Sequence, residues 1–243
     1  MSVIGTAFQF FTVLPVPGSR DLAAAVRWCP LVGLVLGGLL VAADAALAGV
    51  LGPAGRAVVL VALLAALSGA LHLDGLADSA DGLLAQRSPA ERLAIMRDPA
   101  NGGFGVAAVT LTLLTKVAAL SELESGWRWP VLLVTPALAR WAIVGQGALF
   151  PPARPEGGLG HAWRRGATPA ALLVATLLAL APTLLLLRLA GGVLGGVVLL
   201  VALLVGWLAW RRLGGVTGDV LGATVELGEA TWWLVASGLG RLG

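Results

Sequence analysis

Between Ala170 and Trp210 the chain carries a single charged residue, Arg188. A helix rises about 1.5 Å per residue, so this stretch would run roughly 60 Å, twice the ~30 Å hydrocarbon core of a bilayer. It is read as two membrane spans joined by a tight turn around Arg188 and the glycines at 191 and 192. Composition agrees, since 58% of the 243 residues are hydrophobic and 12% are charged, whereas soluble domains average about 25% charged. That excludes an ordinary soluble enzyme. Thirty-four glycines without a Gly-X-Y repeat exclude collagen, and the Leu/Val/Ala runs exclude a disordered chain. The expected fold class is all-α: one polytopic membrane bundle occupying residues 1–243.

Seven segments are long and apolar enough, or nearly so, to span: Pro30 to Val50, Ala57 to Leu73, Gly102 to Leu120, Pro130 to Phe150, Pro169 to Leu187, Leu189 to Trp210, and Asp219 to Leu239. The apolar run Val3 to Leu14 is stopped by Pro15 and Pro17 and lacks a basic leader and a cleavage site. It is expected as an interfacial or re-entrant segment, with an eighth span as the alternative. Ten arginines fall on one side of these boundaries (20, 27, 87, 92, 97, 154, 164, 165, 211, 212) and four on the other (56, 128, 188, 241). That bias predicts a cytoplasmic N-terminus, and the basic excess is assigned to orientation rather than to nucleic acid. Trp28, Trp127, Trp129, Trp163 and Trp210 fall at span ends, where indoles prefer to sit.

The 13 acids cluster. Four are Asp74, Asp78, Asp81 and Asp98, and three are Asp219, Glu226 and Glu229. Asp74, Asp78 and Asp81 have the i, i+4, i+7 spacing that puts three carboxylates on one helix face. Like charges on one face are destabilising unless a cation compensates them, and magnesium, with hard oxygen ligands shared between protein and phosphate, is the economical one. The expected ligands are Asp74, Asp78, Asp81, Asp219 and Glu226. A solvated helix end is the plainer reading of Asp74 to Asp81, but acids inside a span, such as Glu226 and Glu229, are costly passengers. An EF-hand spacing and a GxxxxGK phosphate loop are both absent.

Ahead of the third span lies Arg97-Asp98-Pro-Ala-Asn-Gly102-Gly103. Its glycines and the following helix start suit an anion, with Arg97 adding a fork for phosphate; a loop-to-helix cap is the plainer reading. Ser88-Pro-Ala-Glu91 reads as a capping box opening a short interfacial helix, with Arg92 a surface charge. Lys116 and Arg140 lie inside spans, and face the acids or a polar cavity, or form a structural pair, with Asp44 as one candidate partner. His72 offers either a general base or a hydrogen-bonded structural ring. His161 is expected to be peripheral and Cys29 inert packing; one cysteine and two histidines cannot complete a Cys/His zinc site.

The string His72-Leu-Asp-Gly-Leu-Ala-Asp-Ser-Ala-Asp-Gly82 resembles the hallmark of the cobalamin synthase (adenosylcobinamide-GDP ribazoletransferase) family. Ile95-Met-Arg-Asp98 with the glycine pair after it resembles the family's second motif, and Leu213-Gly-Gly-Val-Thr-Gly-Asp219 through Glu226-Leu-Gly-Glu229 its C-terminal one. Weaker similarity reaches Phe11-Thr-Val-Leu-Pro15, Pro30-Leu-Val-Gly33, Lys116, Arg140 and Gly158-Leu-Gly160. The resemblance implies transfer of adenosylcobinamide phosphate from adenosylcobinamide-GDP to α-ribazole or its 5′-phosphate, with release of GMP and with Mg²⁺. The catalytic candidates are then His72, Asp81 and Arg97, and the substrate-binding ones Arg97, Asp98, Gly102, Gly103, Lys116 and Arg140. Membrane lipid is a partner; self-association, or association with other cobalamin assembly enzymes, stays open. Two alternatives are carried: a CDP-alcohol phosphotransferase, whose motif Asp78-x-x-Asp81-Gly82 enters only in part, and a cation-coupled transporter.

Overall fold

The computed structural model describes residues 2–19, 21–154 and 157–240. Arg20 and Arg241, both used in the charge count, lie outside them. The chain is all-helical, and the only β pairing among the described residues is two isolated bridges. In order come α1 (Val3–Phe11), α2 (Leu22–Ala25), α3 (Cys29–Leu47), α4 (Pro53–Leu67), α5 (Leu71–Leu84), α6 (Pro89–Ile95), α7 (Gly103–Glu122), α8 (Ser125–Leu149), α9 (Leu159–Gly166), α10 (Pro169–Leu213) and α11 (Gly218–Gly240).

The expected count of about seven spans is not confirmed. Four helical stretches are long and apolar enough to cross a membrane, namely Leu22–Leu47, α7, α8 and α10, or five if the bent pair α4 and α5 is one span. Three local causes account for the difference. α10 is two helical arms joined at Arg188, which takes φ 52°, ψ −132° and folds the second arm back on the first. Gly191 then lies against Thr183 and Gly195 against Leu180, so the arms match the two expected segments, with the glycines in helix rather than in the turn. α4 stops at Leu67, six residues before the expected boundary, because Gly69 and Ala70 both take left-handed φ (60° and 55°). α11 carries Asp219, Glu226 and Glu229, which make it less apolar than the others.

α8 is the central post, buried along most of its length by α3, α10 and α11. Gln146 on α8 donates to the Ala202 carbonyl on α10 (3.0 Å) and accepts from Thr224 on α11 (3.1 Å), which fixes the register of three helices with one side chain. At the end of the bundle that holds the N-terminus of α8, Arg128 donates two 2.9 Å bonds to Asp44 on α3, and Arg56 adds a third at 3.1 Å. Asp44 is therefore satisfied there and is not the partner of Lys116 or Arg140. α1, nine residues long, is too short to span and packs against α2 and α3. Trp163 also departs from expectation: it is 1% exposed, with its indole N–H given to the Ile143 carbonyl (2.9 Å), and is no interfacial indole.

Candidate active site

From the left-handed turn at Ala70, α5 leaves at 89° to α4. It crosses α11 where Gly75 meets Asp219 and Gly222 meets His72, and it reaches α7 at Gly102 and Gly105. Both contacts fall near the N-terminal ends of α11 and α7, so α5 packs where those two helices begin. Its C-terminal carbonyls are capped by Arg92, which donates to Gly82 (3.0 Å) and Leu83 (2.5 Å) as well as to Arg87 (2.8 Å). Arg92 is buried, not the surface charge expected from its place on a short helix. The capping box that starts α6 forms as expected, Ser88 N–H donating to Glu91 at 2.9 Å.

Asp81 stands at the start of α7. Its two oxygens accept from the backbone N–H of Gly102 (2.7 Å) and of Gly105 (2.9 Å). The helix end expected to receive a phosphate thus receives a carboxylate of the chain itself, by the same attraction between a negative group and free N–H groups. Gly103, also expected to touch substrate, is exposed. A Cβ at Gly105 would meet the Asp81 carboxylate and, at 2.9 Å, the Ala77 carbonyl. Gly105→Ala should therefore push α7 off α5 and destabilise the protein by about 1–3 kcal/mol, read as a fall in the unfolding midpoint; an unchanged midpoint would contradict this packing.

Asp74 and Asp78 line an open cleft with Met96, Arg97, Asp98, Pro99 and Asn101. Asp98 turns back to accept from Ala100 N–H at 2.9 Å, which shapes the loop carrying Arg97. Asp219 enters from α11 and accepts from the Thr217 hydroxyl (3.2 Å). The linker before α11 is strapped to the end of α8, with Ala153 donating to Val216 (3.0 Å) and Val216 to Pro151 (2.8 Å). That strap delivers Arg154 to the site. Burial and the nearby Arg97 cation lower the Arg154 pKa while Asp219 raises it. Arg154 lines a second cavity with His161, Thr217, Asp219 and the Gly158-Leu-Gly160 turn. The sequence identified Arg154 only as an orientation charge; nothing short of the 151–153 strap would have placed it here.

The Asp78 pKa is raised to about 6, first by burial, then by Asp74, Asp219 and Asp81. Four carboxylates from two distant stretches of sequence therefore share one electrostatic field. Among the described residues no group of three or more His, Cys, Asp or Glu side chains is placed to hold a metal ion, so the five ligands expected from sequence are not brought together. The donor chemistry nonetheless fits a hard divalent ion: mutually repelling carboxylates at an open cleft suit magnesium, which keeps waters and takes substrate phosphate oxygens.

Glu226 faces elsewhere. It is about 10 Å further along α11 than Asp219, by helix rise, and accepts from Lys116 Nζ at 2.7 Å. Lys116 also donates to Glu229 (2.7 Å), which accepts from Arg140 Nη1 (3.2 Å). Lys116, Arg140 and Glu229 are each at most 2% exposed. The pair proposed from sequence for substrate thus sits in a buried four-charge knot joining α7, α8 and α11. His72, also buried, leaves Nε2 without a hydrogen-bond partner and stacks near Phe11, ring centroids 5.6 Å apart.

A polytopic helical bundle whose acids and arginines gather over the ends of two helices describes a membrane-embedded enzyme site. Residues 4–237 match the family model described as cobalamin-5-phosphate synthase, and the chain belongs to that family. Proteins named adenosylcobinamide-GDP ribazoletransferase are similar over nearly the whole length. That of Chlorobaculum tepidum is 39% identical, covering 98% of this chain and 95% of its own. That of Thiobacillus denitrificans is 40% identical (95% and 92%), and that of Thermosynechococcus vestitus 42% (92% and 91%). The family is one of transferases in cobalamin assembly. No solved structure is significantly similar.

Proposed function

We propose that the protein transfers adenosylcobinamide phosphate from adenosylcobinamide-GDP to a free ribose hydroxyl of α-ribazole or its 5′-phosphate, at a bacterial inner membrane with the acidic cleft facing the cytoplasm. The observation that carries this reading is the meeting of Asp74, Asp78 and Arg97 in one cleft with Asp219 and Arg154 in the neighbouring one, close enough for their charges to act on each other. The acceptor hydroxyl oxygen forms a bond to the phosphorus of the cobinamide phosphate as that phosphorus loses its bond to the oxygen of departing GMP. Arg97 and Arg154 bind the pyrophosphate oxygens and hold the charge that grows on GMP. The hydroxyl proton passes to Asp74 or to His72. Asp74 and Asp78, which line the Arg97 cleft together, would hold Mg²⁺, which supplies Lewis-acid stabilisation of the phosphate oxygens, while Asp219 adds negative charge from α11. Asp81 holds α7 against α5, and so keeps the Arg97 loop in place.

The test is GMP release by the purified full-length protein with magnesium, adenosylcobinamide-GDP and α-ribazole, with the ribazole recovered in the corrinoid product. Release without ribazole incorporation, or ion transport without release, would overturn the reading.

Magnesium has a second readout. A carboxyl with a folded pKa of about 6, above its ordinary 3.8, is protonated in the folded chain where the unfolded chain is already ionised. In chelator, this group makes stability fall as pH rises from about 4 through 6. Added Mg²⁺ should raise the unfolding midpoint more at pH 7.5 than at pH 5, where protons compete for Asp78. An equal shift at both pH values would remove Asp78 from the metal site.

A further inference from the structure

Behind the acids lies a cavity of different character. Its walls are Phe10, Phe11, Ile143, Leu159, Trp163 and Leu221, with His72 and three glycines, and Asp74 and Asp219 stand at its edge. The rings form one cluster: Phe10 is 4.9 Å from Phe11 and 6.1 Å from Trp163, and Phe11 is 5.8 Å from Trp163 and 5.6 Å from His72. Asp74 is shared with the Arg97 cleft and Asp219 with the Arg154 cavity, so the three spaces meet at these two carboxylates.

Resting on the transferase reading, we propose that this aromatic cavity is the acceptor subsite and takes the benzimidazole base of ribazole, leaving the Arg97 and Arg154 sides to the donor pyrophosphate. The match is one of polarity. A guanine base presents several donors and acceptors around its rim, and burying them among carbon atoms would leave them unpaired. A ribosylated benzimidazole has one free ring nitrogen and otherwise carbon. The cavity answers with one uncharged polar side chain, His72, whose Nε2 has no hydrogen-bond partner among the described residues. Aromatic walls suit a flat bicycle, since stacking on an aromatic side chain is sequence-tolerant and strong. A base held there places its sugar towards Asp74 and Asp219, where the attacking oxygen is needed. α1, otherwise only a short helix too small to span, supplies two of the rings.

The test uses full-length protein in detergent. Free benzimidazole and 5,6-dimethylbenzimidazole should compete with α-ribazole and not with adenosylcobinamide-GDP, and should quench tryptophan fluorescence. Phe10→Ala, at a half-buried position, should raise the acceptor KM about tenfold, the size of one lost stacking contact, with donor KM unchanged, and should weaken the quench. Competition by the free bases against the donor, or by guanosine against the acceptor, would assign the cavity to the nucleotide and overturn the proposal. So would a Phe10→Ala protein with unaltered acceptor KM and quench. Absence of GMP release from wild type would fail the transferase reading instead, and base binding would then be judged by the quench alone.

Discussion

Asp78→Asn should lower turnover by about three orders of magnitude while leaving the metal-free protein at least as stable as wild type. The two halves of this expectation come from the same geometry. Asp78 carries no hydrogen bond that holds the fold, and its charge is opposed by Asp74, Asp219 and Asp81, so an amide relieves repulsion. The same amide loses a hard anionic donor where the phosphate oxygens must be neutralised, and removing one stabilising group at such a point commonly costs factors of 10² to 10³. Asp81→Asn should also be inactive, but for a different reason and with a different signature. Asp81 uses a different oxygen for each of the Gly102 and Gly105 N–H groups, and in the amide one of those positions becomes an NH₂ donor facing an N–H, so this variant should lose thermal stability as well. Measuring kcat and the unfolding midpoint side by side separates the two. A near-wild-type rate in Asp78→Asn would sink the metal-site model, and an unchanged midpoint in Asp81→Asn would sink the role of Asp81 in holding α7 against α5.

Glu229→Gln should destabilise the protein by about 3–5 kcal/mol, the cost of leaving a buried charge without its counter-ion. Glu226 and Glu229 balance Lys116 and Arg140, and removing one acid leaves a net positive charge in the middle of the bundle. Adding Lys116→Met restores balance, with Arg140 left to face Glu226, and should recover much of the loss. The double-mutant cycle reads this coupling directly. If Lys116 and Arg140 instead met substrate, Lys116→Met alone would raise a substrate KM without needing Glu229; thermal unfolding and KM together decide between these roles.

What sequence could reach follows the range of each interaction. The carboxylate face of α5 was legible because i, i+4, i+7 is a property of one helix. The Ser88 capping box was legible for the same reason. Partners across the bundle were not: Arg128 and Asp44 are 84 residues apart, and Lys116 finds Glu226 rather than Asp44. Arg92 read as a surface charge because its helix is short and polar, and only the turn from Ala85 to Ser88 brings it back onto the end of α5. Glu226 was grouped with Asp219 by helical spacing, which places side chains around a helix axis but not at the same depth along it. The aromatic cavity was hidden for another reason. Phe10 and Phe11 sit in a run whose apolarity alone suggested a membrane surface, and packing against Trp163 and His72 is what gives the run a use.

The bond between Lys116 and Glu226 spans 110 residues of chain, and this has a consequence for how the protein is made. At ~5–20 residues per second, Lys116 leaves the ribosome roughly 5–20 s before the acids that neutralise it. During that interval α7 is a helix with an unanswered cation, and a chain interrupted before α11 never escapes that condition. Synthesis of the last helix both completes the acidic site and neutralises the charge, because Glu226 and Glu229 lie on α11.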